Sequence, residues 1–175
     1  MKTRLLFMMF AMNVLPFALH AQMKFHDVEV NNAWGSVKSI ETTSMGKTSS
    51  ITFSKDGKMQ SDEMREASYD ANGFLESAIM EVGGSTLVMS YQWADGQIKT
   101  ITTTIPEMKK IPPITTKREY NETGSMLISE STESMGVVVR ITYSDYVFDS
   151  HGNWISRKST VDGNTSDETR KITYY

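Results

Sequence analysis

The sequence predicts an all-β fold, an antiparallel up-and-down meander of about eleven short strands curled into a half-barrel or barrel-like sheet. Three observations carry this. Glycines recur at close and regular intervals, each in or closing a turn-like group. The segments between them are rich in Thr, Val, Ile and aromatic residues, which suit a pleated surface and resist a helix. Folding each glycine turn back on itself brings aromatic residues opposite apolar ones.

The elements follow in chain order. Lys2 and Arg4 precede an apolar run over residues 5–19, broken only by Asn13 and Pro16, and Ala21 offers a small residue before Gln22. That order is a secretory signal peptide over 1–21, too short to span a bilayer. Residues 22–175 then form a single β-meander domain of hairpin repeats, long enough to bury a core. The chain has no cysteine. Disulfides, thiolate metal sites and a lipid-modified cysteine are thereby excluded. The expected protein is exported, periplasmic or extracellular, soluble and not a lipoprotein, with no membrane-spanning segment.

Ten closing glycines stand at 35, 46, 57, 73, 84, 96, 124, 136, 152 and 163. The best groups, residues 54–57, 70–73, 121–124 and 149–152, begin with Ser, Asp or Asn and end in Gly. The first side chain can bond the turn's own backbone, and the glycine takes a left-handed conformation at little cost. The others are read as the same four-residue turn. Gly46 and Gly73, Gly57 and Gly84, Gly96 and Gly124, Gly124 and Gly152, and Gly136 and Gly163 are each 27 or 28 residues apart, a repeat of hairpins. Strands are expected over 36–43, 48–54, 74–81, 85–93, 97–105 and 137–148. Ile111-Pro112-Pro113 supplies a turn where glycine is missing. A bulged turn would oppose Phe53 with Met59, Tyr69 with Leu75, Tyr120 with Met126 and Phe148 with Trp154. If Asp95-Gly96 is a two-residue turn, Trp93 faces Ile98. Residues 61–66 are the one helix candidate after the leader, and a long turn suits them as well.

The units Tyr69-Asp70-Ala71-Asn72-Gly73-Phe74-Leu75, Tyr146-Val147-Phe148-Asp149-Ser150-His151-Gly152-Asn153-Trp154 and Arg170-Lys171-Ile172-Thr173-Tyr174 resemble YD repeats of the Rhs type. In length and leader the chain is similar to small exported Bacteroidetes proteins built from degenerate versions of such repeats. The resemblance implies a β-hairpin array in an envelope or extracellular setting, and no catalytic residue.

Little in the chain carries chemistry. Without Lys2 and Arg4, the 18 basic residues fall to 16 against 21 acidic ones, and this excess of acid excludes a nucleic-acid partner. His26 and Asp27 could ligate a metal, but they read as a flexible terminus. His151 reads as a turn residue. The run 162–167 loosely resembles a calcium loop without its terminal glutamate, and reads as a hairpin turn. No Gly-x-Ser-x-Gly elbow occurs. No catalytic residue, metal or cofactor is therefore expected, and the protein is read as not an enzyme. Nine of the 13 methionines follow the leader, suited to an irregular core or an adaptable groove.

The expected function is an exported binding or assembly protein of the cell envelope. Its partner would be a protein, a glycan or an apolar ligand, with self-association open through sheet faces or edges. The candidate contact residues are Trp34, Trp93 and Trp154. Trp34 leads because it alone has no expected cross-strand partner. Two alternatives are a carrier holding a lipid or other apolar ligand in the curved sheet, and a secreted hydrolase.

Overall fold

The computed structural model describes residues 24–175. The leader and its expected cleavage point lie outside the described residues. One short helix, α1 (Asp27–Val30), is followed by β1 (Val37–Ser44), β2 (Lys47–Phe53), β3 (Met59–Gln60), β4 (Met64–Tyr69), β5 (Leu75–Val82) and β6 (Ser85–Ala94). Then come β7 (Gln97–Thr104), β8 (Ile114–Tyr120), β9 (Leu127–Ser134), β10 (Val137–Phe148), β11 (Trp154–Val161) and β12 (Asn164–Tyr174). All twelve strands form one sheet in the order β3-β2-β1-β12-β11-β10-β9-β8-β7-β6-β5-β4. Each strand pairs antiparallel with its chain neighbour, and β1 pairs with β12 to join the two ends of the domain. The order is circular except between β3 and β4. The result is an all-β meander, nearly closed into a barrel with one unsealed seam. No helix among the described residues is long and apolar enough to cross a membrane.

Two kinds of glycine turn recur. In residues 54–57, 70–73, 121–124 and 149–152 the closing glycine N–H donates to the first residue's carbonyl at 2.9–3.1 Å. The first side chain also accepts from the backbone: Asp70 from Asn72 and Phe74, Asp149 from His151 and Asn153, Asn121 from Met126. Four of the other hairpins correct the four-residue reading, and Asp95-Gly96 takes the two-residue form that sets Trp93 opposite Ile98. Met45-Gly46, Gly83-Gly84, Asp95-Gly96, Met135-Gly136 and Asp162-Gly163 are two-residue turns with both φ positive. That geometry matches the strands' own twist. Asp162 therefore sits at a hairpin tip rather than in a cation loop.

The four glycine-closed broad turns fall at one end of the barrel, and the longer 105–113 connection lies at the other. The expected pairs Phe53–Met59, Tyr69–Leu75, Phe148–Trp154 and Trp93–Ile98 are present. Tyr120 differs, facing Leu127 instead of Met126 across an irregularity after Glu119. The turn there is longer, because Asn121 N–H donates to the Met126 carbonyl.

The N-terminal segment is the main departure from expectation. Instead of a flexible end it forms a plug that crosses the seam beside the broad turns. Lys24 and Phe25 N–H groups donate to the Asp56 carbonyl on the β2–β3 side, and His26 N–H donates to the Gly73 carbonyl on the β4–β5 side. Asp27 bridges the two sheet edges directly. Its Oδ2 accepts from Met59 N–H of β3 at 2.7 Å and from the Tyr69 hydroxyl of β4 at 2.8 Å. Burial raises the Asp27 carboxyl above its usual range, and these two hydrogen bonds, then the charges of Lys58 and His26, only partly oppose this. The single helical turn, unforeseen from sequence, is capped at Asn31, and Asn32 after it takes a left-handed conformation (φ 51°). It buries Val28 and Ala33 with Val37, Ile40 and Phe53. Residues 61–63, inside the helix candidate, form the turn that leads into β4.

Eight strands make a barrel that side chains just fill, so twelve enclose a wider interior. Much of the wall behind the plug is polar. Arg118 pairs with Glu130 and Arg157 with Glu168, each at 2.7 Å with both side chains largely buried. The Tyr143 hydroxyl donates to Glu130 at 2.7 Å. Burial alone would raise the Glu130 carboxyl, but Arg118, the Tyr143 bond and Arg157 outweigh it and hold the group below its usual range. Arg118 and Arg170 also donate to the Val30 and Asn32 carbonyls at 3.0 and 3.3 Å, tying the wall to the plug.

Candidate binding groove at the plugged end

A groove of about 520 Å³ opens between two broad turns and the plug. The β8–β9 turn contributes Thr123, Gly124 and Ser125, and the β10–β11 turn contributes His151 and Gly152. Trp34 from the plug and Phe148 from the end of β10 supply two aromatic surfaces. The groove arises because meander topology places these loops at the same end. Nothing lies within 4 Å of a Cβ added at Gly152, whereas one added at Gly124 would meet the Gln97 side chain.

Trp34 is held by its backbone. The Asn153 side chain accepts from Trp34 N–H at 2.7 Å and donates to the Trp34 carbonyl at 2.9 Å. Asn153 is fully buried, and its Nδ2 also donates to the Tyr174 hydroxyl at 2.9 Å. That hydroxyl donates in turn to Asp149 Oδ2. The Tyr174 hydroxyl is pushed up to about 12, by burial first and then by Asp149. Burial tends to raise the Asp149 carboxyl as well. The Tyr174 bond, the Asn153 and His151 amides and the nearby His151 ring win, so it stays below its usual range. The two bonds hold the Trp34 backbone on both sides of its Cα, and the residue stays partly exposed.

His151 is exposed and stacks on Tyr174 with centroids 3.9 Å apart. Thr123 and Ser125 hydroxyls bond each other at 2.8 Å on the opposite bank. The groove thus offers two aromatic surfaces, an imidazole edge and two hydroxyls. Among the described residues no group of three or more His, Asp or Glu side chains is placed to hold a metal. His26 stacks on Phe74 at 4.0 Å and bonds Glu29 at 3.1 Å, while Asp27 is spent on the seam.

The three tryptophans have different surroundings. Trp34 lines the groove. Trp93 is half-buried, donates Nε1–H to the Leu75 carbonyl at 2.8 Å and packs against Phe74 at 4.9 Å. Trp154 is only 2% exposed and lies between the guanidinium groups of Arg157 and Arg170, at 4.0 and 3.7 Å from its ring. Sequence reasoning singled out Trp34 but missed Asn153, whose only signal was its place directly after a closing glycine. No protein-family model, curated protein or solved structure matches this chain.

Proposed function

We propose that the chain is an exported, non-catalytic binding protein of the cell envelope, and that the groove beside Trp34 takes a glycan. The observation that carries this is the clamped Trp34 facing a channel with a second aromatic ring and the mutually bonded Thr123 and Ser125 hydroxyls. Sugar rings present an apolar face that stacks on an indole and a polar rim that hydrogen-bonds hydroxyl and imidazole groups. The backbone clamp lowers the entropy lost when the indole engages a ligand. The YD-like repeats and the signal-peptide-like leader support an envelope setting.

Oligosaccharide array screening followed by calorimetry tests this. Trp34→Ala should keep the thermal midpoint within about 2 °C, the shift expected for roughly 0.5 kcal/mol in a domain of this size, and should lose binding. Retained affinity in Trp34→Ala, or no binding to any array member, would overturn the reading. A carrier of an apolar ligand ranks second. Met59, Met64, Met80 and Met89 lie partly buried on β3, β4, β5 and β6 and favour it. The buried arginines and glutamates on β8 to β12 weigh against an apolar cargo in the same interior.

A further inference from the structure

Three arginines line the wall behind the plug, and only two have carboxylate partners. Arg118 is neutralised by Glu130 and Arg157 by Glu168. Glu168 is further held by the Ser44 hydroxyl at 3.3 Å, and Glu130 by Tyr143. Arg170 forms no ion pair among the described residues. Its Nη1 donates to the Asn32 carbonyl, and its guanidinium lies on the Trp154 ring at 3.7 Å. Two donors at this contact, Arg170 Nε and Trp154 Nε1, are buried and have no hydrogen-bond partner. A buried N–H without an acceptor costs roughly 1–3 kcal/mol, and more when it is charged. Two such groups in adjoining side chains, beside one uncompensated positive charge, specify what would satisfy them: an acceptor bearing negative charge.

We propose that a small oxygen-bearing anion, an inorganic oxyanion or the carboxylate of a small organic acid, binds inside the barrel beside the Arg170–Trp154 contact, at the unpartnered Arg170 Nε–H and Trp154 Nε1–H. The chemistry is that of a guanidinium Nε–H and a neighbouring indole N–H, both buried without an acceptor. This site is behind the plug and independent of the outer groove. The Arg170 guanidinium is pushed down to about 9 by burial first and by Arg157 second, with Glu168 opposing. An anion beside it would relieve the same strain.

The test titrates the purified protein with inorganic phosphate, with acetate and with chloride at matched ionic strength. Thermal unfolding and the indole N–H resonances are followed, the Trp154 signal being assigned with a Trp154→Phe variant. The proposal expects a saturable rise in midpoint, equivalent to about a 100-fold shift in the unfolded-to-folded ratio at 100 times the Kd. It also expects the Trp154 resonance to move with the same Kd while those of Trp34 and Trp93 stay still. Response to phosphate alone assigns an inorganic oxyanion, and response to acetate alone or to both assigns a carboxylate-accepting site. Arg170→Met should abolish the saturable effect. If that variant fails to fold, the wild-type Trp154 resonance decides. A midpoint that tracks ionic strength alone, a Trp154 resonance that does not move, or an Arg170→Met protein with unchanged affinity would each overturn the site.

Discussion

Gly73 and Gly152 close equivalent broad turns, yet replacing them with alanine should have very different effects. Both have positive φ, 88° and 80°. An L-residue held there costs roughly 1–2 kcal/mol, so each variant starts with that loss. At Gly152 nothing else is added, because an alanine Cβ would meet no atom within 4 Å. At Gly73 the same Cβ would lie 1.8 Å from the Lys24 carbonyl oxygen and 2.9 Å from its carbon. Backbone cannot rotate away as a side-chain tip can, so the plug must shift. The bonds at risk are Lys24 and Phe25 N–H to Asp56 and His26 N–H to Gly73. At about 1 kcal/mol net for each, the extra loss is roughly 3 kcal/mol. Gly152→Ala should thus lose about 1–2 kcal/mol and Gly73→Ala about 4–5 kcal/mol. Denaturant unfolding of the two variants measures the gap, and amide exchange over residues 24–30 reports whether the plug has detached. Equal losses, with full protection of those amides in Gly73→Ala, would refute the account of the plug as fixed against this turn.

Three further outcomes follow from the charged and seam-bridging groups. Arg157→Met strands Glu168 in the interior and should cost about 3–5 kcal/mol, whereas Arg140→Met breaks a pair with both side chains 54% exposed and should cost under about 1 kcal/mol; denaturant midpoints compare them. Glu130 has a depressed folded-state pKa, so its stabilisation is present above its unfolded value and is lost as pH falls through the folded one; Glu130→Gln should flatten stability below about pH 4.5, as thermal scans across pH would reveal. Asp27 has the opposite sign: its raised folded pKa means that ionisation costs stability as pH rises through that value. Asp27→Asn keeps an acceptor and should lose less than Asp27→Ala, which leaves the Met59 amide unpaired across the seam and should speed its exchange.

The strand framework was legible because its signals are local. Ser, Asp or Asn four residues ahead of a second strand, closed by glycine, leaves the backbone few other ways to satisfy its own donors. The distinction between turn types was missed where Met45 and Met135 adopt positive φ. No local preference marks methionine for that conformation, and the strands' twist imposes it. That the N-terminal segment serves as a plug was missed for a similar reason. Asp27 and His26 look like solvated polar residues until the sheet curls and brings Met59, Tyr69 and Phe74 around them. The inward charges carried a signal that was overlooked. Arg157 stands in phase with Ser159, and Arg118 with Tyr120, whereas a one-sided strand would keep charge out of phase with its buried set. Trp34 stood out because it lacked a strand partner, but the Asn153 clamp joins residues 119 positions apart.

The 27- or 28-residue hairpin repeat explains why a groove forms at all. In a meander, alternate turns lie at opposite ends of the sheet, so features that recur once per hairpin are delivered to the same end. Here the two-residue turns at Met45, Gly83, Met135 and Asp162 share the far end, where so short a loop can present little besides its own backbone. The four-residue turns share the plugged end, where each extends further and carries side chains beyond those that satisfy the turn. Asp95-Gly96 is the exception, a tight turn at the broad-turn end. It leaves Gln97 free to reach across and donate to the Gly124 carbonyl, bracing the β8–β9 turn that forms one bank of the groove. The opposite bank is braced by Asp149, which satisfies its own turn and accepts from Tyr174 near the C-terminus of the chain. Tyr174 and Asn153 then tie that turn to Trp34 on the plug. Both banks and the Trp34 backbone between them are therefore fixed to structure rather than left as loops.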